Sequence, residues 1–307
     1  MSNTTTLGTP TVVESRAPRR SGESYFIRTF GCQMNEHDSE RIAGLLEADG
    51  MVRADDPSDA DVVVVNTCTI RENADQRLYG YLGSLKAEKE HNTNLRIVVG
   101  GCTAQKDKEI VRERASWVDV VFGTHNTHRV LDLLDQVEEW GPVTEIWEEA
   151  TDPEAGSSLM PSRREADHSA WVTITTGCNN SCTFCIVPIV RGAEISRRPG
   201  DVIREIQRLA ADGVVEITLL GQNVNSYGRD LGIDGRRRPI FADLLRRVGG
   251  IEGIERIRFT SPHPNDIKED VAIAMAETPA VCENLHLPLQ SGSAPVLRAM
   301  QRGYTPE

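Results

Sequence analysis

The sequence lacks several features that define common classes of protein. No stretch approaches the roughly 18 uninterrupted apolar residues of a membrane-spanning helix, and the first 20 residues lack the apolar core of a secretory signal. Positive charge is also scarce, since 34 Lys and Arg face 46 Asp and Glu and the net charge is −12. These absences argue against a membrane protein, an exported protein and a protein that binds nucleic acid over its whole surface. We therefore expect a cytoplasmic protein with no membrane partner.

Length and composition predict two globular domains of the α/β class. The chain has 307 residues, and 39% of them are apolar, which is enough to build two hydrophobic cores. Residues 1–23 are rich in Ser, Thr, Pro and Arg without a hydrophobic pattern, so they predict a disordered tail. Residues 141–169 are acidic and show no sustained periodicity, which indicates a linker. The expected domains are therefore residues 24–140 and 170–307.

Three segments of the first domain share one pattern, in which a short β-branched run ends near a cysteine and helical spacing follows. The runs and their cysteines are Tyr25–Phe30 with Cys32, Val62–Val65 with Cys68, and Ile97–Val99 with Cys102. The cysteines lie about one βαβ unit apart, so the three strands should be parallel neighbours in an open sheet. Because such sheets bind ligands beyond the carboxyl ends of their strands, we expect three thiols at one rim. A buried structural cysteine is the alternative for any one of them.

The second domain repeats a strand followed by a helix four times, which predicts part of a parallel barrel. The predicted strands are Trp171–Thr176, Val215–Leu220, Arg256–Thr260 and Asn284–Leu289. The predicted helices contain Val202–Leu209, Phe241–Val248, Val271–Met275 and Ala294–Met300. Four units cannot close a barrel of this kind, so we expect the chain to be a fragment of a longer protein.

The loop after the first predicted barrel strand carries Cys178, Cys182 and Cys185 in a C-x3-C-x2-C pattern. Loops at the carboxyl ends of barrel strands are where active sites lie. Three thiolates within eight residues can hold one side of an iron–sulfur cubane and leave its fourth iron without a protein ligand. A zinc site is the alternative, but it normally brings a fourth ligand at characteristic spacing. The unpaired seventh cysteine, Cys282, is predicted to have a packing role.

This cysteine loop resembles the signature of the radical S-adenosylmethionine (SAM) superfamily. The resemblance implies a 4Fe–4S cluster whose open iron binds SAM, with Cys178, Cys182 and Cys185 as catalytic ligands and a deoxyadenosyl radical as the reagent. The three-cysteine domain in front narrows the resemblance to the methylthiotransferases. In that family the first domain carries a second cluster, which assigns Cys32, Cys68 and Cys102 to it.

Four local strings resemble the tRNA-modifying branch of the methylthiotransferases: residues 29–35, 66–73, 101–105 and 122–126. The resemblance implies transfer of a methylthio group to C2 of N6-isopentenyl adenosine beside the anticodon of tRNA. One SAM would methylate a sulfur on the first cluster, and a second would yield the radical that removes the C2 hydrogen. A one-electron donor protein and a sulfur donor are further implied partners. Alternatives are an enzyme that acts on a ribosomal-protein aspartate or another tRNA adenosine, and a non-catalytic iron–sulfur or zinc-binding fragment.

The same resemblance places six further side chains in the cavity for cofactor and substrate: Phe184, Glu194, Arg197, Gln222, His286 and Gln290. Three of these side chains also suit a purely structural role. His286 alternates with leucines and suits a barrel interior, and Glu194 with Arg197 suits a surface ion pair. The second barrel strand ends in Gly-Gln-Asn rather than the Gly-Gly-Glu ending of many superfamily members, which leaves the ligand of the SAM amine open.

Three arginine runs are candidates for a local nucleic-acid site. They are Arg191 with Arg197 and Arg198, then Arg236 to Arg238, then Arg246 and Arg247. Each run alone also suits a solvated face. The family implies additional barrel strands and an RNA-binding β domain beyond residue 307.

Overall fold

A six-stranded parallel sheet organises the first half of the chain in the computed structural model, which describes residues 17–69, 72–149, 160–232 and 237–306. Its strands are β1 (Ser24–Phe30), β2 (Val52–Arg53), β3 (Val62–Thr67), β4 (Arg96–Gly101), β5 (Val120–Phe122) and β6 (Val143–Glu145). The order is β2-β1-β3-β4-β5-β6, and every neighbouring pair is parallel. The three cysteine-bearing strands are therefore adjacent, as predicted. This order is that of a flavodoxin-like sheet, whose ligand site lies where β1 meets β3.

Helices cover both faces of this sheet: α1 (Gln33–Ala48), α2 (Glu72–His91), α3 (Cys102–Asp107), α4 (Ile110–Arg114) and α5 (Val130–Trp140). Alternate residues of β3 enter different cores because successive side chains point to opposite faces of a strand. Val62 and Val64 join the core that contains Ile42 of α1. Val63 and Val65 join the other core, which is built on α2 and α4. A run of four valines buried on both faces is typical of a central parallel strand.

Two expectations about the borders of the first domain need correction. Strand β6 lies within residues 141–169, which were predicted to be a linker, and it pairs with β5. The predicted disordered tail reached residue 23, but residues 17–23 are described and Arg20 is buried against Asp49, Asp135 and Glu138. The first 16 residues of that tail and residues 150–159 of the linker lie outside the described part of the chain.

The second half of the chain contains the start of a parallel barrel. Strands β7 (Ser169–Thr173), β10 (Glu216–Leu220) and β11 (Arg256–Phe259) pair in the order β11-β10-β7, and both pairings are parallel. A short antiparallel hairpin joins β8 (Thr175–Thr176) to β9 (Ile195–Ser196). The helices of this half are α6 (Val187–Arg191), α7 (Pro199–Ala211), α8 (Phe241–Gly249), α9 (Glu269–Glu277) and α10 (Ala294–Ala299).

The fourth barrel strand, predicted at Asn284–Leu289, is wrong. The chain pairs with β11 earlier, where Val281 forms a single parallel bridge with Ile257. Pro288 has no N–H to give to a strand ladder, and most side chains from residue 283 to 290 are exposed, so this stretch has no apolar face to bury. The predicted strand is therefore replaced by an irregular segment that leads to α10.

The two halves pack directly against each other through α1. Its His37 Nδ1 lies 2.9 Å from Thr173 Oγ1 at the end of β7, and its Asp38 pairs with Arg191 at 2.7 Å. From the other side, Thr124 Oγ1 donates to the Val190 carbonyl at 2.5 Å. The contact brings the carboxyl ends of β1 and β7 to one region of the molecule.

Among the described residues, no helix has both the length and the apolar character needed to cross a membrane.

Candidate functional site

The first three thiols lie at the carboxyl ends of adjacent strands. Cys32 precedes α1 as its N-cap residue, Cys68 follows β3 directly, and Cys102 is the first residue of α3. Cys68 and Cys102 are buried, with 6% and 4% of their surface exposed, whereas Cys32 is half-buried. They therefore lie at one rim of the sheet, as the sequence predicted, and they flank the point between β1 and β3 where this sheet type binds ligands.

A buried amide network holds this rim in shape. Asn35 Nδ2 donates to the Thr67 carbonyl at 3.0 Å, Asn66 Nδ2 donates to the Asn35 carbonyl at 2.8 Å, and Thr103 Oγ1 donates to the Cys68 carbonyl at 2.9 Å. Gly101 has a φ of +92°, and a Cβ there would lie 2.4 Å from Asn66 Oδ1. Each strand end is thus tied to its neighbour by a side chain that sequence reasoning did not single out.

Arg191 supplies positive charge to this first site from the second half of the chain. Its side chain is 6% exposed, and Nη2 lies 2.7 Å from Asp38 Oδ2. Burial by itself would lower the pKa of Arg191, but Asp38, Cys102 and Cys32 together raise that pKa above its ordinary value. Burial raises the pKa of the Cys102 thiol, and Arg191 opposes that rise. The buried Arg191 cation therefore offsets negative charge at the site that contains Cys32 and Cys102.

The second three thiols lie in the loop between β8 and α6. Cys178 is buried, with its N–H donating to the Gly192 carbonyl at 3.2 Å, while Cys182 and Cys185 are half-buried. Burial raises the pKa of the Cys178 thiol, and the nearby Cys185 and Cys182 add to the rise. Gly177 has a φ of +70°, and a Cβ there would lie 2.0 Å from the Ala193 carbonyl oxygen. Only glycine allows the loop to turn this close to the β8–β9 hairpin.

Buried polar groups beside this loop form a second network. Asn179 Oδ1 accepts from the Glu194 N–H at 3.0 Å, and Glu194 Oε2 accepts from Ser226 Oγ at 2.5 Å. Asn223 Nδ2 donates to Asp266 Oδ2 at 2.6 Å. Burial raises the pKa of Glu194, and the hydrogen bond from Ser226 opposes that rise.

Several polar atoms of this region have no hydrogen-bond partner within the described part of the chain: Asn223 Oδ1, Asn225 Nδ2 and His263 Nε2. A buried polar group without a partner costs about 1–3 kcal/mol, so these atoms are suited to a bound polar ligand. Gln222, which the sequence singled out, is half-buried, whereas the neighbouring Asn223 and Asn225 are fully buried. Asn223 and Asn225 belong to the Gly-Gln-Asn-Val-Asn stretch after β10. This cluster of amide side chains is the sequence feature that could have identified them.

The other predicted cavity residues differ in position. Glu194 and Arg197 are 6% and 5% exposed, so the reading of both as a surface ion pair is wrong. Arg197 instead pairs with Glu205 at 2.5 Å and donates to the Thr173 carbonyl at 2.7 Å. Phe184 is 55% exposed at the loop surface.

His286 and Gln290 are also exposed, so His286 is not the barrel-interior residue that its alternation with leucines suggested. Gln290 adopts a φ of +65° in the same irregular segment. The structure therefore brings Glu194 to the cysteine loop and leaves these two on the surface.

The arginine runs do not form one basic surface. Arg191 and Arg197 are buried in ion pairs with Asp38 and Glu205. Arg246 lies near Asp243 and Glu277. Arg236 lies outside the described residues.

Within the described ranges, no three or more Cys, His, Asp or Glu side chains are arranged to hold a metal ion as they stand.

Two family models match the chain, one in each half. Residues 24–123 match the family described as uncharacterized protein family UPF0004, and residues 172–307 match the radical SAM superfamily. The first match covers all three cysteines of the rim, and the second covers the C-x3-C-x2-C loop.

Curated relatives match across both halves. An enzyme of Parafrankia sp. (strain EAN1pec), named tRNA-2-methylthio-N(6)-dimethylallyladenosine synthase, is 59% identical over 94% of this chain and 57% of its own length. A protein of the same name from Acidothermus cellulolyticus is 59% identical over 95% of this chain and also 57% of its own length. The chain thus spans a little over half the length of these relatives.

Solved structures resemble the chain in fold. The radical S-adenosylmethionine methyltransferase TsrM from Kitasatospora setae superposes with a TM-score of 0.59 at 14% identity, covering 92% of this chain and 63% of that one. The cobalamin-dependent S-adenosylmethionine radical enzyme OxsB superposes with a TM-score of 0.54 at 12% identity, covering 92% and 46%. At these identities the likeness concerns the fold alone, and it extends over both halves. Each half of the chain therefore matches a different family model, UPF0004 in the first half and the radical SAM superfamily in the second.

Proposed function

We propose that this chain carries the catalytic domains of a tRNA methylthiotransferase. The reaction would attach a methylthio group to C2 of N6-isopentenyl adenosine beside the anticodon, in line with the name of its relatives. One observation carries the proposal: one set of three thiols lies at the carboxyl ends of three parallel strands, and a second set lies in the loop after β8 of the domain packed against it. We further propose that the first domain extends from about residue 17 to β6 and that the second begins at β7.

The donor sets suit two 4Fe–4S clusters. Cysteine thiolates are the usual ligands of such clusters, and a set of three leaves one iron open to a reactant. We propose that Cys178, Cys182 and Cys185 hold the cluster that binds SAM. Cys32, Cys68 and Cys102 would hold the second cluster, where the buried Arg191 offsets negative charge. When bound, the clusters and SAM would supply a radical that removes hydrogen and a sulfur that replaces it.

The protein's own residues would orient the cofactor and exclude water from it. Glu194, held by Ser226 and Asn179, closes one side of the cysteine loop. The unpaired buried atoms of Asn223 and His263 are suited to the polar groups of SAM. Arg197 would act indirectly, since it holds the end of β7 through the Thr173 carbonyl.

Four exposed or half-buried side chains complete the proposed contacts to cofactor and substrate: Phe184, Gln222, His286 and Gln290. Phe184 follows Thr183 in the loop and offers an exposed aromatic ring on which a purine can stack. The partners implied are tRNA, a one-electron donor protein and a sulfur donor.

Anaerobic reconstitution with iron and sulfide, followed by serine substitution, tests the proposal. Two clusters predict about eight irons per chain, and loss of one cluster predicts about four. Cys182→Ser should abolish cleavage of SAM to 5′-deoxyadenosine while the first site stays loaded. Cys68→Ser should leave cleavage intact and stop methylthio transfer to isopentenylated tRNA. Cys282→Ser is the matched control, since this half-buried cysteine belongs to neither set, and it should change neither readout.

Two outcomes would contradict the proposal. Continued SAM cleavage by Cys182→Ser would remove the cofactor site from the second loop. Uptake of about one zinc without iron would indicate a structural metal domain instead. Comparison of isopentenylated tRNA with unmodified tRNA and with a ribosomal-protein substrate identifies which methylthiotransferase reaction the chain supports.

A further inference from the structure

Arg302 makes direct contact with the second cysteine loop from a distant part of the chain. It lies three residues beyond α10 and is 8% exposed. Its Nη1 donates to the Cys182 sulfur at 3.3 Å. No motif in the sequence indicated this residue, which is separated from Cys182 by 120 positions.

The guanidinium of Arg302 is held in place on its other sides. Nε donates to the Tyr304 hydroxyl at 3.2 Å, and the guanidinium carbon lies 5.6 Å from the centre of the Tyr304 ring. Nη2 donates to the Pro288 carbonyl at 3.5 Å. The Tyr304 hydroxyl in turn donates to the Leu289 carbonyl at 2.8 Å. A planar group fixed in this way presents one N–H to the sulfur in a constant direction.

Two hydrogen bonds from Thr183 also join the loop to the end of α10. The Thr183 N–H donates to the Met300 carbonyl at 3.2 Å, and Thr183 Oγ1 donates to the Ala299 carbonyl at 3.2 Å. Cys182 and its neighbour Thr183 therefore both contact residues 299–302, and the Arg302 contact is part of this interface. Cys178 and Cys185 are held within the loop and by the β8–β9 hairpin instead.

We propose that Arg302 is a positioning residue that orients the Cys182 sulfur and makes the cluster on the second cysteine loop easier to reduce. The proposal rests on the proposed function, which places a 4Fe–4S cluster on that loop. Reduction adds one negative charge to the cluster. A buried cation and an N–H donor at a ligand sulfur stabilise that charge, because hydrogen bonds to sulfur and local charge set cluster potentials.

A redox titration followed by electron paramagnetic resonance tests this inference. The parent is the full chain carrying Cys32→Ala, Cys68→Ala and Cys102→Ala, so that only one cluster gives a signal. The variants are Arg302→Gln, which removes the charge, and Arg302→Lys, which keeps it. Arg298→Gln is the matched control, since Arg298 lies exposed on α10 four residues away.

The expected result is a more negative midpoint potential in Arg302→Gln. At a fixed applied potential, the ratio of reduced to oxidised cluster should fall about tenfold, which corresponds to about 59 mV for a one-electron couple. Arg302→Lys should lie between Arg302→Gln and the parent, and Arg298→Gln should match the parent. Equal potentials in the parent and Arg302→Gln, with about four irons in each, would overturn the inference.

Iron content distinguishes the remaining outcomes. Loss of iron from Arg302→Gln with an unchanged denaturation midpoint supports the role in orienting Cys182. Loss of iron together with a collapsed midpoint overturns it, because Arg302 would then serve the fold in general. A parent that takes up no iron rejects the proposed function itself and the inference with it.

Discussion

The buried ion pair of Arg20 is expected to stabilise the first domain far more than its position near the start of the chain suggests. Arg20 Nη1 lies 2.9 Å from Asp49 Oδ2, and Nη2 lies 2.6 Å from Asp135 Oδ1 and 3.0 Å from Glu138 Oε1. The side chains of Arg20 and Asp49 are 4% and 0% exposed. Burial opposes the charge on Arg20, but the hydrogen bonds with Asp135, Asp49 and Glu138 raise its pKa above the ordinary value.

The expected magnitude follows from this burial. The substitution Arg20→Met keeps the apolar stem and removes the charge, which leaves the Asp49 carboxylate buried without this partner. Breaking a buried pair in this way costs about 3–5 kcal/mol. The neighbouring Arg19 also pairs with Asp135, at 2.7 Å, but its side chain is 57% exposed. Arg19→Met should therefore cost less than about 1 kcal/mol.

Chemical denaturation at pH 7, followed by far-ultraviolet circular dichroism, measures the free energy of unfolding of both variants. Adding Asp49→Asn to Arg20→Met should restore part of the loss, because the buried carboxylate that lost the Arg20 guanidinium is then neutral. Equal and small losses in Arg20→Met and Arg19→Met would refute the reasoning. In that case residues 17–23 would contribute to stability no more than a tail does.

Two further predictions concern the cysteine loop and pH dependence. Gly177→Ala should destabilise the protein by more than about 1 kcal/mol, because its φ of +70° and the Ala193 carbonyl oppose a side chain there. In contrast, Gly83→Ala on the exposed face of α2 should stabilise the protein by about 0.5–1 kcal/mol. Denaturation curves that show Gly177→Ala to be as stable as Gly83→Ala would contradict both expectations. Burial and nearby arginines lower the pKa of His37 well below its ordinary value, so below about pH 6.5 the unfolded chain takes up a proton that the folded chain does not. As the pH decreases below about 6.5, the free energy of unfolding should therefore decrease, by at most about 1.4 kcal/mol per pH unit. His37→Gln should show a smaller slope between pH 5.5 and 7.5, and an unchanged slope would contradict this linkage.

Local patterns in the sequence predicted β1, β3 and β4, the helices that follow them, and the two sets of thiols. The valines of β3 are buried on both faces and end at Cys68, a pattern that needs no knowledge of the rest of the fold. The C-x3-C-x2-C loop is equally local, since its three ligands lie within eight residues. The parallel order of β1, β3 and β4 also followed from the sequence, because short crossover connections leave few topologies open.

Only the tertiary structure decided which charged groups meet the thiols. Arg191 looked like part of a basic run but lies buried beside Cys102, and Arg302 reaches Cys182 across 120 positions. The predicted strand at Asn284–Leu289 failed for a related reason, because alternation alone does not show which face a neighbouring strand will cover. Burial and charge pairing between residues far apart depend on how the two domains pack, and no local pattern encodes that packing.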